Sequence, residues 1–282
     1  MQFGANTFIW VSPFRTDTLW VIDRVADLGF DAVEVALEDA SIIDVEALAQ
    51  KIKHHDLSTA VCGAFGPDRD LAHEDSAIRD NAKKYIIDSL DFASRIGASI
   101  FCGPAYSAVG KARPVEPAVK EEEWKRAVTG LRELGDEAQK RGVTIAVETL
   151  NRFETDFLNL ASQLKRFLED VGHPAVRGHL DTFHMNIEEK DLGEAIRLMG
   201  GDLVHFHACE NDRGAPGSGH VEWEKVRDAL RDIGYDGMVV VESFTPGVKE
   251  IAKAAAIWRP LAKDEDTLAG EGLEFLRNLL PT

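Results

Sequence analysis

Only three cysteines occur in 282 residues, Cys62, Cys102 and Cys209. They are widely spaced and odd in number, which argues against a disulfide framework and a paired-cysteine zinc site. A reducing cytoplasm is then the simplest setting. Long apolar runs are missing as well, and none approaches the roughly 20 residues that span a bilayer. The opening Met1-Gln2-Phe3-Gly4-Ala5-Asn6 lacks a basic segment followed by an apolar stretch, so no secretory signal is visible. Basic residues are scarce: Lys and Arg number 32 against 49 Asp and Glu, a formal net charge of −17. Such a surface repels phosphate backbones and anionic lipid, so neither nucleic acid nor membrane is an expected partner. No low-complexity stretch and no linker rich in Pro, Gly or Ser divides the chain. What remains is 44% hydrophobic and 29% charged, the balance of a soluble globular chain with a sizeable core.

Short β-rich runs alternate with longer segments of helical period. Strands are expected at residues 3–9, 32–36, 59–64, 99–103, 144–148, 176–181, 203–208 and 238–242. They are short and mostly apolar, as strands covered on both faces are. Between them, sets such as Trp124, Val128, Leu131, Gly135 and Ala138 recur at steps of three and four and mark one buried helix face. Glycines at Gly29, Gly142 and Gly234 stand where helices stop before strands. Eight such alternations predict a single α/β domain over residues 1–282, a closed (β/α)8 TIM barrel over roughly 1–260 with a short C-terminal helical extension over roughly 261–282. The eighth barrel helix is expected near 248–258 and a further helix near 264–280. A doubly wound sheet would need a glycine-rich phosphate loop after the first strand, and Val11-Ser12-Pro13-Phe14 is not one.

In such a barrel the C-terminal strand ends face the site. The fifth strand ends in Val147-Glu148-Thr149, the sixth in His179-Leu180-Asp181, the seventh in His205-Phe206-His207 and the eighth in Val241-Glu242-Ser243. A single charged strand end is ordinarily a salt-bridged or solvated loop residue. Four consecutive strand ends delivering Glu, Asp, His and Glu to one rim point instead to a divalent cation, with Mn²⁺, Mg²⁺ or Co²⁺ suiting oxygen ligands plus one nitrogen. Two glutamates across a cation also supply a pair of acid/base groups. Glu154, His184 and Arg213 lie in the loops leaving these strands, where they either contact substrate oxygens or serve as a loop salt bridge (Glu154, Arg213) or a helix-start histidine (His184). The turn-rich Gly214-Ala215-Pro216-Gly217-Ser218-Gly219 would let residues 210–220 fold over a ligand, or is a plain surface connection.

Several segments carry a family resemblance. They are Val147-Glu148-Thr149-Leu150-Asn151-Arg152-Phe153-Glu154, His179-Leu180-Asp181-Thr182-Phe183-His184-Met185-Asn186, His205-Phe206-His207-Ala208-Cys209-Glu210-Asn211-Asp212-Arg213-Gly214 and Val240-Val241-Glu242-Ser243-Phe244. In order and spacing the chain resembles the sugar isomerase and epimerase barrels of the xylose-isomerase type, and more narrowly the ketose 3-epimerases acting on D-tagatose, D-psicose (allulose) or L-ribulose. The resemblance implies an isomerase that inverts C3 of free ketohexoses or ketopentoses through a cis-enediolate. It implies one divalent ion per subunit, usually Mn²⁺, held by Glu148, Asp181, His207 and Glu242. Glu148 and Glu242 would be the two acid/bases, His184 and Arg213 would contact the O2 side, and Glu154 would hold the O1 hydroxyl. A homodimer or homotetramer is implied as well. The match is weaker where the distal end of the sugar binds. Asn6 stands where the family often has an aromatic residue, and Gly103-Pro104-Ala105-Tyr106-Ser107-Ala108-Val109-Gly110 lacks the tryptophan of some relatives. Asn6 and Cys62 are the candidates there, although a free cysteine often serves packing alone. A hydroxypyruvate-isomerase-type aldose–ketose isomerase or an inosose-type dehydratase would share the same metal residues. A repair nuclease on a related barrel would need more histidine ligands and a basic face, and a noncatalytic carbohydrate-binding barrel would not need the glutamates.

Overall fold

The computed structural model describes residues 1–244, 247, 252, 253 and 255–280. The short apolar runs form eight parallel strands that close into a barrel in chain order. They are β1 (Gln2–Asn6), β2 (Ala32–Leu37), β3 (Ser58–Gly63), β4 (Ile100–Gly103), β5 (Thr144–Glu148), β6 (Val176–Asp181), β7 (Leu203–Ala208) and β8 (Met238–Val241), and β8 pairs back onto β1. Every residue of β2 is buried, which is why these runs read as continuously apolar rather than alternating. The fold is the TIM barrel expected from the sequence, with its strand C-termini gathered on one rim.

Three strands are shorter than the sequence pattern implies, β4 by its first residue and β1 and β8 at their C-terminal ends. β1 stops at Asn6 instead of running to residue 9, because Asn6 Oδ1 accepts the Phe8 N–H at 2.8 Å and opens a 3-10 turn over Thr7–Ile9. Asparagine bonding the backbone two residues on competes with the strand ladder. β8 stops at Val241, which leaves Glu242 just past the strand on the rim.

The ring around the barrel comprises α1 (Trp20–Asp27), α2 (Val45–His54), α3 (Ser76–Ile96), α4 (Pro117–Arg141), α5 (Ala161–Val171), α6 (Thr182–Glu188), α7 (Leu192–Met199), α8 (Trp223–Asp232) and α9 (Glu265–Leu279). Aspartates at their N-caps accept the first free N–H groups: Asp44 for α2, Asp75 for α3, Asp191 for α7 and Asp264 for α9. Helix α4 shows how the pattern works. Pro117 starts it, Gly142 ends it at φ 67°, and Ala127, Val128, Leu131, Leu134 and Ala138 face the core. Gly135 on that face lets His173 approach, and a Cβ there would lie 2.4 Å from His173 Nδ1.

The helix expected near 248–258 falls largely outside the described residues. The helix expected at 264–280 is α9, which packs against β8, β1 and α8. It buries Leu268, Leu273 and Leu276, and Arg277 Nη2 donates to the Gly29 carbonyl at 2.7 Å. Trp10 Nε1 donates to Asp266 at 2.9 Å, so the first and last parts of the chain meet here. Among the described residues no helix is long and apolar enough to cross a membrane.

Candidate active site

Glu148 ends β5, Asp181 ends β6, His207 lies next to the end of β7 and Glu242 follows β8, so neighbouring strands bring all four to one rim. All four are buried. Donor atoms of Asp181, His207 and Glu242 lie within 4.8 Å of one another, and so do those of Glu148, Asp181 and His184. Arg213 reaches into the same cluster. Its Nη1 donates to Asp181 Oδ2 at 2.5 Å and to Glu242 Oε2 at 2.8 Å, and its guanidinium lies 4.1 Å from the Phe183 ring centre. The turn that aims it is strained: Arg213 has φ 69°, in the left-handed region that costs a non-glycine residue about 1–2 kcal/mol. Ser243 Oγ holds that turn by donating to the Arg213 carbonyl at 2.7 Å.

Asn151 ties Glu154 and His184 together. Its backbone N–H donates to His184 Nδ1 at 3.0 Å and its side-chain amide donates to Glu154 Oε1 at 2.8 Å. His184 Nε2 is thereby turned into the site, 3.8 Å from Glu148 Oε1 and 3.0 Å from Arg213 Nη2. Glu148, Glu154, His184, Arg213 and Glu242 line one cavity of about 450 Å³, and Cys62 lines its opposite side. Asn6 is not on that wall. It is fully buried, and its amide donates to Glu34 Oε1 at 2.7 Å and lies 3.5 Å from Glu242 Oε1. Nor do residues 210–220 hang free: Glu210 gathers the loop by accepting from Gly217 N–H at 3.0 Å, Val221 N–H at 2.7 Å and Trp223 Nε1 at 2.8 Å.

The sequence reading missed Glu34. It sits in the middle of β2, fully buried, and accepts from His205 Nε2 at 2.5 Å, His207 Nε2 at 2.8 Å, the Asn6 amide and the Cys102 thiol at 3.2 Å. Burial opposes ionisation, yet His207 and His205 hold its carboxyl well below the usual range. The available signal was a glutamate inside an otherwise apolar strand, Ala32-Val33-Glu34-Val35-Ala36. Because His207 donates through Nε2, its other ring nitrogen is left for the site. That Nδ1 is buried without a hydrogen-bond partner, 3.4 Å from Glu242 Oε2. A carboxylate behind a histidine that turns its free nitrogen toward acidic groups is how metal-ligating histidines are held.

Electrostatics point the same way. Burial raises Glu148 well above the usual carboxylate range, helped by the charges of Glu242 and Asp181. Burial acts on Glu242 too, but the His207 and Arg213 charges outweigh it and hold its carboxyl low. His207 and Arg213 are both held well above their ordinary values, since the carboxylates around them prevail over burial. A site that favours positive charge this strongly, with three carboxylates and one unpartnered imidazole nitrogen, fits a hard-to-borderline divalent cation.

A family model described as xylose isomerase-like TIM barrel matches residues 22–279. The D-psicose 3-epimerase of Ruminiclostridium cellulolyticum is 33% identical, over 99% of this chain and 98% of that protein. The D-psicose 3-epimerase of Agrobacterium fabrum is 35% identical, over 94% of this chain and 93% of that protein. The solved structure of D-allulose 3-epimerase from Methylomonas sp. superposes with a TM-score of 0.94 at 30% identity, covering 99% of this chain and 98% of that one. Epimerases are isomerase-class enzymes, and near full-length similarity to them accompanies the same barrel. The chain belongs to the xylose isomerase-like TIM barrel family.

Proposed function

We propose that this protein is a divalent-metal-dependent ketose 3-epimerase acting on free ketohexoses or ketopentoses such as D-fructose, D-psicose, D-tagatose and L-ribulose. The observation that carries the reading is the pair Glu148 and Glu242. They stand on β5 and β8, on either side of Asp181 and His207, and their environments push their carboxyls in opposite directions. Two titratable groups driven apart in this way are an acid and a base. Glu242 accepts the C3 proton, and Glu148 delivers one to the opposite face of the resulting cis-enediolate. Microscopic reversibility exchanges these roles for the other epimer. Inversion needs two such groups, since one base returns its proton to the face it came from.

Glu148, Asp181, His207 and Glu242 would hold the cation, with Mn²⁺ the expected ion. When bound, it supplies Lewis-acid polarisation of the substrate carbonyl and so acidifies the neighbouring carbon. His184 and Arg213 orient the O2 side, and Glu154, fixed through Asn151, holds the O1 hydroxyl. The resemblance further supports a homodimer or homotetramer, the subunit number being readable by light scattering, and the three free cysteines favour a reducing cytoplasm.

The test is incubation with each ketose and Mn²⁺ in D₂O, followed by NMR. Inversion at C3 with deuterium appearing there is expected, and chelation of the metal should stop it. An aldose product without C3 inversion would replace the reading by an aldose–ketose isomerase, and loss of water from the sugar by a dehydratase.

A further inference from the structure

The cavity has two unlike halves. One carries Glu148, Glu154, His184, Arg213 and Glu242, all from segments at or after the ends of β5 to β8. The other is built by segments at or after the ends of β1 to β4, chiefly Phe8, Cys62, Phe65, Pro67, Pro104 and Val109. Among the described residues one charged side chain interrupts this second wall: Glu38, the first residue past β2. Its Oε1 accepts from Ser12 Oγ at 2.8 Å. Its Oε2 is buried with no hydrogen-bond partner among the described residues. Arg69 influences this carboxyl but does not bond it. Its guanidinium donates to the carbonyls of Ala64 at 2.8 Å and of Glu38 itself at 2.9 Å, and lies over the Tyr85 ring.

A carboxylate oxygen removed from water without a donor is costly, and natural interiors keep few of them. Burial raises the Glu38 carboxyl above its usual range, with Ser12, the Phe14 backbone N–H and the Arg69 charge only partly offsetting it. The terminal torsion of glutamate is soft, so either oxygen can turn to the cavity while Ser12 tethers the other. Among the described residues no lysine and no arginine lines this half, so none of them would balance a phosphate, and the carboxylate would repel one.

We propose that Glu38 is a specificity-determining residue that accepts a hydrogen bond from a hydroxyl on the C4–C6 end of a free ketose. The inference rests on the epimerase reading, which places C1 to C3 at the opposite half. Specificity built on a buried hydrogen bond is sharp, because an analogue lacking the hydroxyl leaves the protein group unpaired.

The experiment separates binding from turnover. Calorimetry on the Mn²⁺-loaded protein gives Kd for D-fructose and its 4-deoxy, 5-deoxy and 6-deoxy analogues, and the C3-inversion assay gives kcat/KM for the same sugars. In the native protein one deoxy analogue should bind about 10-fold more weakly than D-fructose, the discrimination one good hydrogen bond supplies. Glu38→Leu should erase that difference, and Glu38→Gln, which keeps an acceptor, should retain most of it. Ser12→Ala leaves Glu38 in place but untethered, and should reduce the difference without touching the wall's shape. No penalty for any deoxy analogue in the native protein, or an unchanged penalty in Glu38→Leu, would overturn the role of Glu38 while leaving epimerisation intact. Glu38-dependent discrimination in binding without C3 inversion would sink the reaction and keep the site, and absence of ketose binding altogether would sink both.

Discussion

At the scale of single residues, Glu34 is where structure adds most to the proposed chemistry. Its two oxygens serve His205 and His207 at once. In Glu34→Gln one oxygen still accepts, but the new amide meets an imidazole N–H as donor against donor. His207 then loses the partner that fixes its ring, and Mn²⁺ affinity measured by calorimetry is expected to fall about 10–100-fold, the usual effect of disturbing such a partner. Unchanged affinity would mean that the barrel core alone orients His207. Glu242→Gln tests a different step. Glutamine keeps the shape and a ligand oxygen, so the fold and much of the cation affinity should persist, but it cannot accept the C3 proton. Turnover should vanish, and retained epimerisation in that variant removes Glu242 from the base role.

Elements matter through how they tie such residues down, and the start of α4 illustrates it. Glu123 accepts from Arg113 at 2.7 Å with Lys111 Nζ 3.1 Å away, and Asp156 accepts from the Arg113 backbone at 2.7 Å with Lys120 Nζ at 2.5 Å. Burial opposes ionisation of both acids, yet these partners hold both carboxyls below their usual range. A lowered folded-state value means that the unfolded chain takes up protons first as pH falls. The network's contribution is therefore fully present above about pH 4, the ordinary range of these acids, and drains away as pH drops through the lowered folded values. Thermal melts between pH 7 and pH 3 should show a steep acid limb, and Glu123→Gln should lower Tm at pH 7 and flatten that limb. A variant curve parallel to the native one would remove Glu123 from the acid response.

The same scale explains what a sequence reading reaches. β5, β6 and β7 are found residue for residue at 144–148, 176–181 and 203–208, because buried parallel strands are short apolar runs with sharp glycine and charge boundaries. Glu148, Asp181, His207 and Glu242 are visible because each interrupts or ends such a run. Glu34 interrupts one equally, but its meaning lies in two histidines 171 and 173 residues away, and nothing local encodes that pairing. Asn6 presents the converse. Its place on the rim follows from β1, but its partners are Glu34 and Phe8 N–H rather than the cavity, and only the closed barrel decides that. Glu38 carries no such local signal, and the cavity alone gives it a wall to line.

For the whole molecule, barrel closure is the condition on which everything else depends, since β5 to β8 carry the proposed chemistry and β8 must pair with β1. The outer face of that seam is covered by α9, the last helix of the chain. Its buried leucines are Leu268, Leu273 and Leu276, with Leu280 just beyond, and each contributes about 1.5–3 kcal/mol by leaving water. Together they rival the net stability of an ordinary domain, about 5–15 kcal/mol. Arg277 also bonds Gly29 and pairs with Asp31 at 3.2 Å, at the entry to β2, so the helix grips both sides of the seam. A chain stopped at Lys263 is therefore expected to lose its cooperative thermal transition and native circular dichroism, and not merely a flexible tail. Leu276→Ala, which leaves the helix in place but opens a fully buried cavity, should cost about 2–5 kcal/mol in denaturant unfolding. Recovery of the native spectrum when residues 264–282 are supplied as a separate peptide would locate the defect at the seam. A shortened chain that melts cooperatively at the native temperature would show instead that the β1–β8 pairing holds the barrel shut by itself.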